Sequence, residues 1–382
     1  MRRPTWAEIN LDNLVHNFRL MRELVGPQVA IMPVVKADAY GHGDLECAFA
    51  LEACGAEWFG VALPEEGIKL RRAGIARPIL CLNGFWEGQE ELLIKYNLTP
   101  VIFCADLLER FDAAARAARL RADYHLKVDT GMGRLGVPPS QLGQFLDRAS
   151  RLEHVQLDGL MTHLAAADLP EKADFTARQM ALFEESLSIV RSRGHDPRWI
   201  HQAASAAAHA LAESRGNLVR LGGLLYGLWR DVINPAEAPL DWRPVLSLHT
   251  RIIMLKTVPA NTPLGYGCAF VTEAESRIAT LPIGYRDGLR RALSNCGRCL
   301  VRGRFAPIVG RVSMDLTLID VTGIPGVCIG DEVVIIGRQG QLEIPAEELA
   351  ARIGSISYEI TCGISERVPR IYKGAARPKL NQ

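Results

Sequence analysis

Residues 29–43 read VAIMPVVKADAYGHG. An unbroken apolar run leads to Lys36, and a turn holding Gly41 and Gly43 follows it. Such a run, short and without alternation, suits a strand covered on both faces. A lysine at its end is held by a rigid element and faces a rim. The same rhythm recurs downstream in WFGVAL (58–63), PILCL (78–82), TPVIF (99–103), YHLKV (124–128), LDGLMT (157–162), WIHQAA (199–204) and LVRLG (218–222). Helical spacing fills the gaps. Leu107, Leu108, Phe111 and Ala115 share one face, as do Phe175, Met180 and Phe183, and Pro64, Asp106 and Pro170 mark helix starts. Eight buried runs alternating with helices predict an α/β fold, an N-terminal (β/α)8 TIM barrel, over a doubly wound open sheet. Lys36, Asp38, Asp129, His163, Ser205 and Arg220 lie near strand ends, which in a barrel converge on the face that carries the active site.

The texture changes after Pro235. VLSLHTRIIMLKTV (245–258), SRIATLPIG (276–284), APIVGRVSMDLTLIDV (306–321) and GDEVVIIG (330–337) carry alternation and β-branched residues, divided by glycine and proline. They predict a mainly β domain over 241–382, with one helix at PAEELAARIG (345–354). The barrel takes 1–240, its opening residues packing with the second domain. The turn-like DVINPAEAPLDWR (231–243) marks the boundary.

Composition sets broad limits. The chain has 382 residues, 48% hydrophobic and 23% charged, with a formal net charge of +1. That near-neutral balance and the sparse aromatics argue against nucleic acid or anionic membranes as partners. No run reaches the roughly eighteen apolar residues of a membrane helix. The start does not read as a secretory signal, and nine scattered cysteines suit free thiols in a cytoplasmic protein.

The chemistry-bearing residues each have a plain alternative. Lys36 could form a Schiff base with a carbonyl if burial or nearby cations lower its pKa; otherwise it is a rim lysine paired with Asp38 or Asp129. HLKVDTGMGRLG (125–136) contains a literal GxGxxG, but Pro138 and Pro139 interrupt the helix a dinucleotide site requires. Arg134 in that turn could hold a carboxylate through two N–H groups. Arg220 in RLGGLLYG, with Gly222, Gly223 and Ser205, could cradle a phosphate or simply form a close-packed turn. Tyr266 and Tyr285 beside glycines read as turn tyrosines. Cys296 and Cys299 lack further ligands for a structural zinc, so no metal site is expected. HExxH, the P-loop and GxSxG are absent from the sequence.

Taken in order, RPTWAEINLDNLVHNF (3–18), VVKADAYGHG (34–43), HLKVDTGMGRLG, THLA (162–165), RLGGLLYG (220–227), LGYG (264–267), IGYRDG (283–288), GRVSMD (310–315) and ISYEI (356–360) resemble the alanine racemase family almost end to end. The resemblance implies a pyridoxal-phosphate (PLP) enzyme interconverting L- and D-alanine. It also implies a homodimer whose active sites take residues from both chains, and a role in supplying D-alanine for peptidoglycan. By position, it makes Lys36 the lysine that bears PLP and one of two bases; Tyr266, from the other subunit, is the second. Tyr40, Ser205, Gly222 and Tyr358 match phosphate ligands. Arg220 matches the arginine facing the pyridine nitrogen, and His163 the histidine beside the ring. Arg134 and the Met314 amide match groups near the substrate carboxylate. Lys127 matches a lysine carbamylated in some members, and Tyr285 and Asp315 match residues of the substrate entrance. Ala204 and Ser313 depart from the common asparagine and cysteine. Alternatives are a serine or broad-specificity racemase, a related PLP-dependent amino-acid decarboxylase, and a non-catalytic PLP-binding protein. The long β domain carrying Tyr266 argues against the last.

Overall fold

The computed structural model describes residues 3–233 and 240–374. The chain opens with strand β1 (Trp6–Asn10) and helix α1 (Leu11–Val25). Asn10 caps the helix by accepting the Asn13 amide at 3.1 Å, which satisfies one of the orphan donors of the first turn. Leu11, Leu14, Phe18, Met21 and Val25 fall at three- and four-residue steps and are all buried, so α1 packs one stripe inward.

Eight parallel strands follow: β2 (Ala30–Pro33), β3 (Phe59–Val61), β4 (Ile79–Cys81), β5 (Thr99–Ile102), β6 (Ala122–Lys127), β7 (Val155–Met161), β8 (Trp199–His201) and β9 (Leu218–Leu221). Each lies within or overlaps one of the eight apolar runs read from the sequence. Strands β3 to β8 pair in succession, and β2 pairs with β9. Two seams close the ring. Val35 donates to the Gly60 carbonyl at 2.8 Å between β2 and β3, and Val34 bridges Gly60. Asn217 and Arg220 donate to Ile200 and Ala203, each at 3.1 Å, between β8 and β9. These seams exclude the open sheet. Met32, Trp58, Leu80, Val101, Met161 and Leu218 fill the barrel, the packed interior expected of this architecture.

Strand β1 pairs antiparallel with Leu246–Arg251 and parallel with Arg370–Lys373. The first strand of the chain is therefore part of a seven-stranded sheet made otherwise from C-terminal residues. A three-stranded sheet joins Met254–Val258, Ser276–Leu281 and Thr317–Asp320. The 245–258 segment thus breaks at Ile252, with its halves in different sheets. The 306–321 segment contains strand only at its two ends, because Gly310, at φ +75°, begins a turn between them. Ala346–Arg352 forms the expected helix. Of the expected boundary segment, residues 234–239 lie outside the described residues. Among those described, no helix is long and apolar enough to cross a membrane.

Asn17 ties the barrel to the connection between the two regions. Its amide donates to the carbonyls of Leu225 at 3.0 Å and Arg243 at 2.8 Å, and its carbonyl accepts the Arg243 amide at 3.0 Å. Asn17→Ala removes three hydrogen bonds in a buried place. It should lower the unfolding free energy by about 2–4 kcal/mol, at about 1 kcal/mol per bond plus the cost of stranded polar groups. Urea denaturation measures it, and an unchanged midpoint and slope would refute the tie.

Candidate active site

Lys36 follows β2, and the four residues after it adopt a conformation their sequence does not favour. Ala37, Asp38, Ala39 and Tyr40 all have φ between 51° and 57°, one left-handed helical turn built without glycine. Such a turn costs about 1–2 kcal/mol per residue for L-amino acids. Neighbours hold it from several sides. Glu66 accepts the Ala37 amide at 2.7 Å. His42 Nδ1 donates to the carbonyls of Ala39 at 2.9 Å and Tyr40 at 3.0 Å. Burial pushes His42 down to about 4, so its ring is neutral with the proton on Nδ1. Arg370, from the last strand, donates to the Gly41 carbonyl at 3.1 Å. At Gly41 itself φ is +85°, and a Cβ would strike the Thr361 carbonyl.

The turn delivers Lys36 and Tyr40 to a cavity of about 420 Å³ at the C-terminal mouth of the barrel. Lys127, Arg134, His163, Ser205, Arg220, Gly222 and Tyr358 line the same cavity. At one end, a methyl group on Gly222 would lie 2.5 Å from the Tyr40 hydroxyl, and one on Gly223 would collide with the Tyr358 hydroxyl. These two glycines therefore seat two phenols. Ser205 Oγ accepts the Gly222 amide at 2.9 Å beside them. Burial raises the pKa of both Tyr40 and Tyr358, so both hydroxyls keep their protons and can donate to an anion.

At the other end Arg220 is only 3% exposed. Its Nη1 donates to His201 Nδ1 and to the His201 carbonyl, both at 3.0 Å. Its Nη2 donates to the carbonyls of Thr162 and Gln202 at 2.8 Å and approaches His163 Nδ1 at 3.3 Å. Burial pulls Arg220 down to about 9, still above neutral, so the guanidinium stays charged. Its Nε–H is the one N–H position with no acceptor among the described residues. Burial, reinforced by Arg220, drives His163 down to about 3, leaving its ring neutral. Burial, then Arg134, lowers Lys36. Burial, then Arg220 and Arg134, brings Lys127 down to about 8.

These residues suit PLP on their own chemistry. The cavity offers an amine of lowered pKa for an aldehyde, hydroxyl donors over glycine for a phosphate, and a charged N–H that can donate to a ring nitrogen. Arg134 stands on a loop drawn tight by Asp129, whose Oδ1 accepts the Gly131 and Gly133 amides, both at 3.0 Å. That loop returns to bridge Val128 with Val137, and the next α-helix starts only at Leu142.

Two rim expectations need correcting. Asp38 turns away to Lys69 at 3.8 Å and the Asp44 amide at 3.1 Å, and Asp129 braces its loop; neither lines the cavity. Nor does either pair with Lys36 among the described ion pairs. Arg220 stands one residue before the end of β9.

Four further candidates are placed elsewhere. Tyr266 is 72% exposed, Met314 51% and Tyr285 42%, and none of them lines the cavity, nor does Asp315. Tyr285 and Arg286 donate to the carbonyls of Ser313 and Met314 at 2.9 and 3.1 Å, and Asp315 pairs with Arg367 at 2.8 Å. They belong to the surface of the C-terminal domain.

Sequence reading missed Asn83 and Cys362 as cavity residues. Both had a signal. Asn83 follows a strand end, and Cys362 is four residues after Tyr358 on helix Ser357–Cys362, hence on the same face. No group of three or more potential metal ligands occurs among the described residues.

Residues 9–229 match the family model described as alanine racemase, N-terminal domain, and residues 245–372 match alanine racemase, C-terminal domain. The chain belongs to the alanine racemase family. An alanine racemase of Halothermothrix orenii is 46% identical over 379 residues, covering 97% of each chain. The structure of the Bacillus anthracis alanine racemase with bound L-Ala-P superposes with a TM-score of 0.91 at 35% identity, covering 98% of this chain and 96% of that one. The Bartonella henselae alanine racemase with covalently bound pyridoxal phosphate gives 0.87 at 28% identity, over 97% and 100%. The two family matches leave 230–244 between them, the stretch that holds the segment outside the described residues. Ala204, where the family commonly has asparagine, lines the cavity and precedes the Ser205 helix without a side-chain cap.

The depressed Lys127 amine has a consequence for stability. Its pKa drops from 10.5 to about 8 on folding. Below pH 8 both states carry the charge, and the folded state bears the full cost of burying it. Between these values the unfolded chain binds more protons, so stability rises with pH. Lys127→Met should therefore stabilise the protein at neutral pH by about 1–3 kcal/mol, with the gain shrinking above pH 8. Denaturation in carbon dioxide-free buffer at two pH values checks this; a gain that grows with pH would contradict it.

Proposed function

We infer that this chain interconverts L- and D-alanine as a PLP-dependent racemase. The observation that carries the reading is the convergence, in one cavity, of the Lys36 amine, the Tyr40 and Tyr358 hydroxyls and the free N–H of Arg220. The near full-length identity to alanine racemases supports it. When bound, PLP supplies a conjugated electron acceptor that acidifies the Cα–H of the amino acid. The chain's own residues do the rest. Lys36 Nζ, with its pKa lowered by burial and by Arg134, releases its proton more readily than a free lysine. It can therefore take or return a proton at Cα on the face it meets. Arg134 offers paired N–H groups to a carboxylate. Arg220 donates a hydrogen bond without giving up a proton, so a ring nitrogen facing it keeps its lone pair and draws less charge. Held in this way, the cofactor would favour return of the proton at Cα over side reactions.

Inversion needs a second proton donor on the opposite face. No tyrosine besides Tyr40 and Tyr358 lines the cavity, and burial holds both of those protonated. Tyr266 is instead displayed on the C-terminal domain, which also exposes Met314, Leu316 and Tyr285. We propose that the protein is a homodimer in which this face covers the cavity of a second copy, bringing Tyr266 to its Cα. Tyr285, Met314 and Asp315 would then rim the substrate entrance. A cytoplasmic location is proposed on the strength of nine free cysteines, a state that reducing compartments maintain.

A panel of L-amino acids incubated with the PLP-loaded protein and resolved by chiral separation tests the reaction. Alanine should racemise fastest; equal or faster turnover of serine would make the enzyme a broader racemase, and carbon dioxide release would make it a decarboxylase. Lys36→Ala should lose the long-wavelength absorption of lysine-bound PLP, and a retained band would refute the assignment. Tyr266→Phe should keep that band while racemising roughly 100-fold more slowly or worse. Mixing the Lys36→Ala and Tyr266→Phe proteins should restore activity, because a mixed dimer holds one intact pair. No recovery after subunit exchange would exclude the shared site.

A further inference from the structure

Beneath the cavity, a line of polar side chains crosses the otherwise apolar barrel interior. Arg220 Nη1 meets His201 Nδ1 at 3.0 Å, and His201 Nε2 meets His125 Nδ1 at 2.9 Å. His125 Nε2 faces Asp158 Oδ2 at 3.9 Å, longer than a direct hydrogen bond. Both histidines are fully buried, while Asp158 is 17% exposed at the far end. Around them lie Trp58, Trp199 and Met161, with the Trp58 ring 5.1 Å from that of His125. Asp123 is the other carboxylate facing His125.

Donor chemistry fixes every proton along this line. A guanidinium only donates, so His201 Nδ1 must accept. A neutral His201 then carries its proton on Nε2 and donates to His125 Nδ1. His125 in turn carries its proton on Nε2, aimed at the carboxylate of Asp158. Burial lowers the pKa of both rings, and Arg220 adds to this, so neither takes a second proton at neutral pH. The other tautomer at either ring would set N–H against N–H.

The backbone makes room for this arrangement. Gly159 pairs with His125 across β6 and β7, and a methyl group on it would lie 2.5–2.6 Å from the His125 ring. Its φ does not require glycine; the imidazole does. Asp158 and Gly159 are thus adjacent residues that both serve His125.

Resting on the racemase reading, we propose that Asp158, His125 and His201 are positioning residues that orient Arg220 towards the cofactor's ring nitrogen. The relay occupies Nη1 and turns Nε–H to the cavity. Asp158 anchors the line with the negative charge that Arg220 lacks beside it. Loss of the relay would free the guanidinium to rotate, shifting the balance from proton return at Cα towards loss of the amino group.

Nitrogen-15 imidazole NMR of the full-length protein reads the tautomers directly. His201 and His125 should both be protonated at Nε2 and bare at Nδ1; a protonated Nδ1 on either ring overturns the relay. This readout needs no turnover, so its failure is distinct from failure of the racemase reading, which the amino-acid panel decides. The second readout is partition. In the side reaction the amino acid leaves as a keto acid and its amine stays on the cofactor. His125→Phe fills the ring's space without nitrogen and should raise this loss per racemisation event by about tenfold, the scale of one hydrogen bond to a charged group. His125→Asn returns an acceptor near the Nδ1 position and should bring the ratio most of the way back. An unchanged ratio in folded His125→Phe overturns the proposal. If that protein does not fold, Asp158→Ala at the half-open end replaces it. A shift in the same direction supports the relay, and wild-type partition with wild-type tautomers overturns it.

Discussion

A buried guanidinium with no carboxylate beside it among the described residues is the constraint on which the active-site end of the barrel turns. Taking such a charge from water costs several kcal/mol unless its donors are satisfied. Here the acceptors are the carbonyls of Thr162, His201 and Gln202 and the Nδ1 of His201. They lie at the ends of β7 and β8, while the guanidinium comes from β9. A slip of one residue in any of these strands would strand a charged group, since each hydrogen bond to a charge is worth about 1.5–3 kcal/mol. The closure of the ring and the placement of the cation therefore specify each other. Burial keeps His163 neutral and brings Lys127 to about 8, and the same charge reinforces both shifts. One arginine thus adds to what burial does to the protonation of its neighbours.

The turn after Lys36 is the opposite case, a strained backbone held by its surroundings. Strain of this kind persists only where neighbours over-determine it. Glu66 comes from helix Pro64–Ala73 after β3, His42 from the segment just beyond the turn, and Arg370 from the opposite end of the chain. The last of these explains why the C-terminal strand matters to a site in the barrel. It pairs with β1, and its arginine caps the turn that aims Lys36 and Tyr40.

The eight barrel strands were legible because strands covered on both faces leave an apolar signature that neighbours cannot blur. Lys36, His163, Ser205 and Arg220 were legible by their place near strand ends, and their cofactor roles only through the family resemblance. The left-handed turn was not: Ala37, Asp38 and Ala39 carry no sign of positive φ, which is imposed by tertiary contacts. Asp38 and Asp129 misled for a related reason. A carboxylate near a strand end reads the same whether it faces a ligand or braces its own loop. His125 and His201 escaped notice because a histidine inside an apolar run looks like ordinary core. Only the register of β6 against β7 and β8 reveals that they meet. The split of 245–258 between two sheets was hidden because both halves are β-branched and apolar.

The distribution of side chains between the two domains has its own logic. Tyr358 lines the cavity of its own chain and Arg370 braces the turn that serves it, so the C-terminal domain helps build the anchoring end. Tyr266, Tyr285 and Met314 cannot do so, because they project from a different surface of that domain. A racemase must approach one carbon from two opposite faces with two groups that never share a proton. If both came from the same wall, packing that served one would displace the other. Supplying the amine from inside a closed barrel and the phenol from an exposed surface separates the two problems. The amine is tuned by burial and a neighbouring cation, and in the proposed dimer the phenol would be tuned by the surface it meets. Under the proposed dimer, the exposure of Tyr266 is what a site completed by association requires.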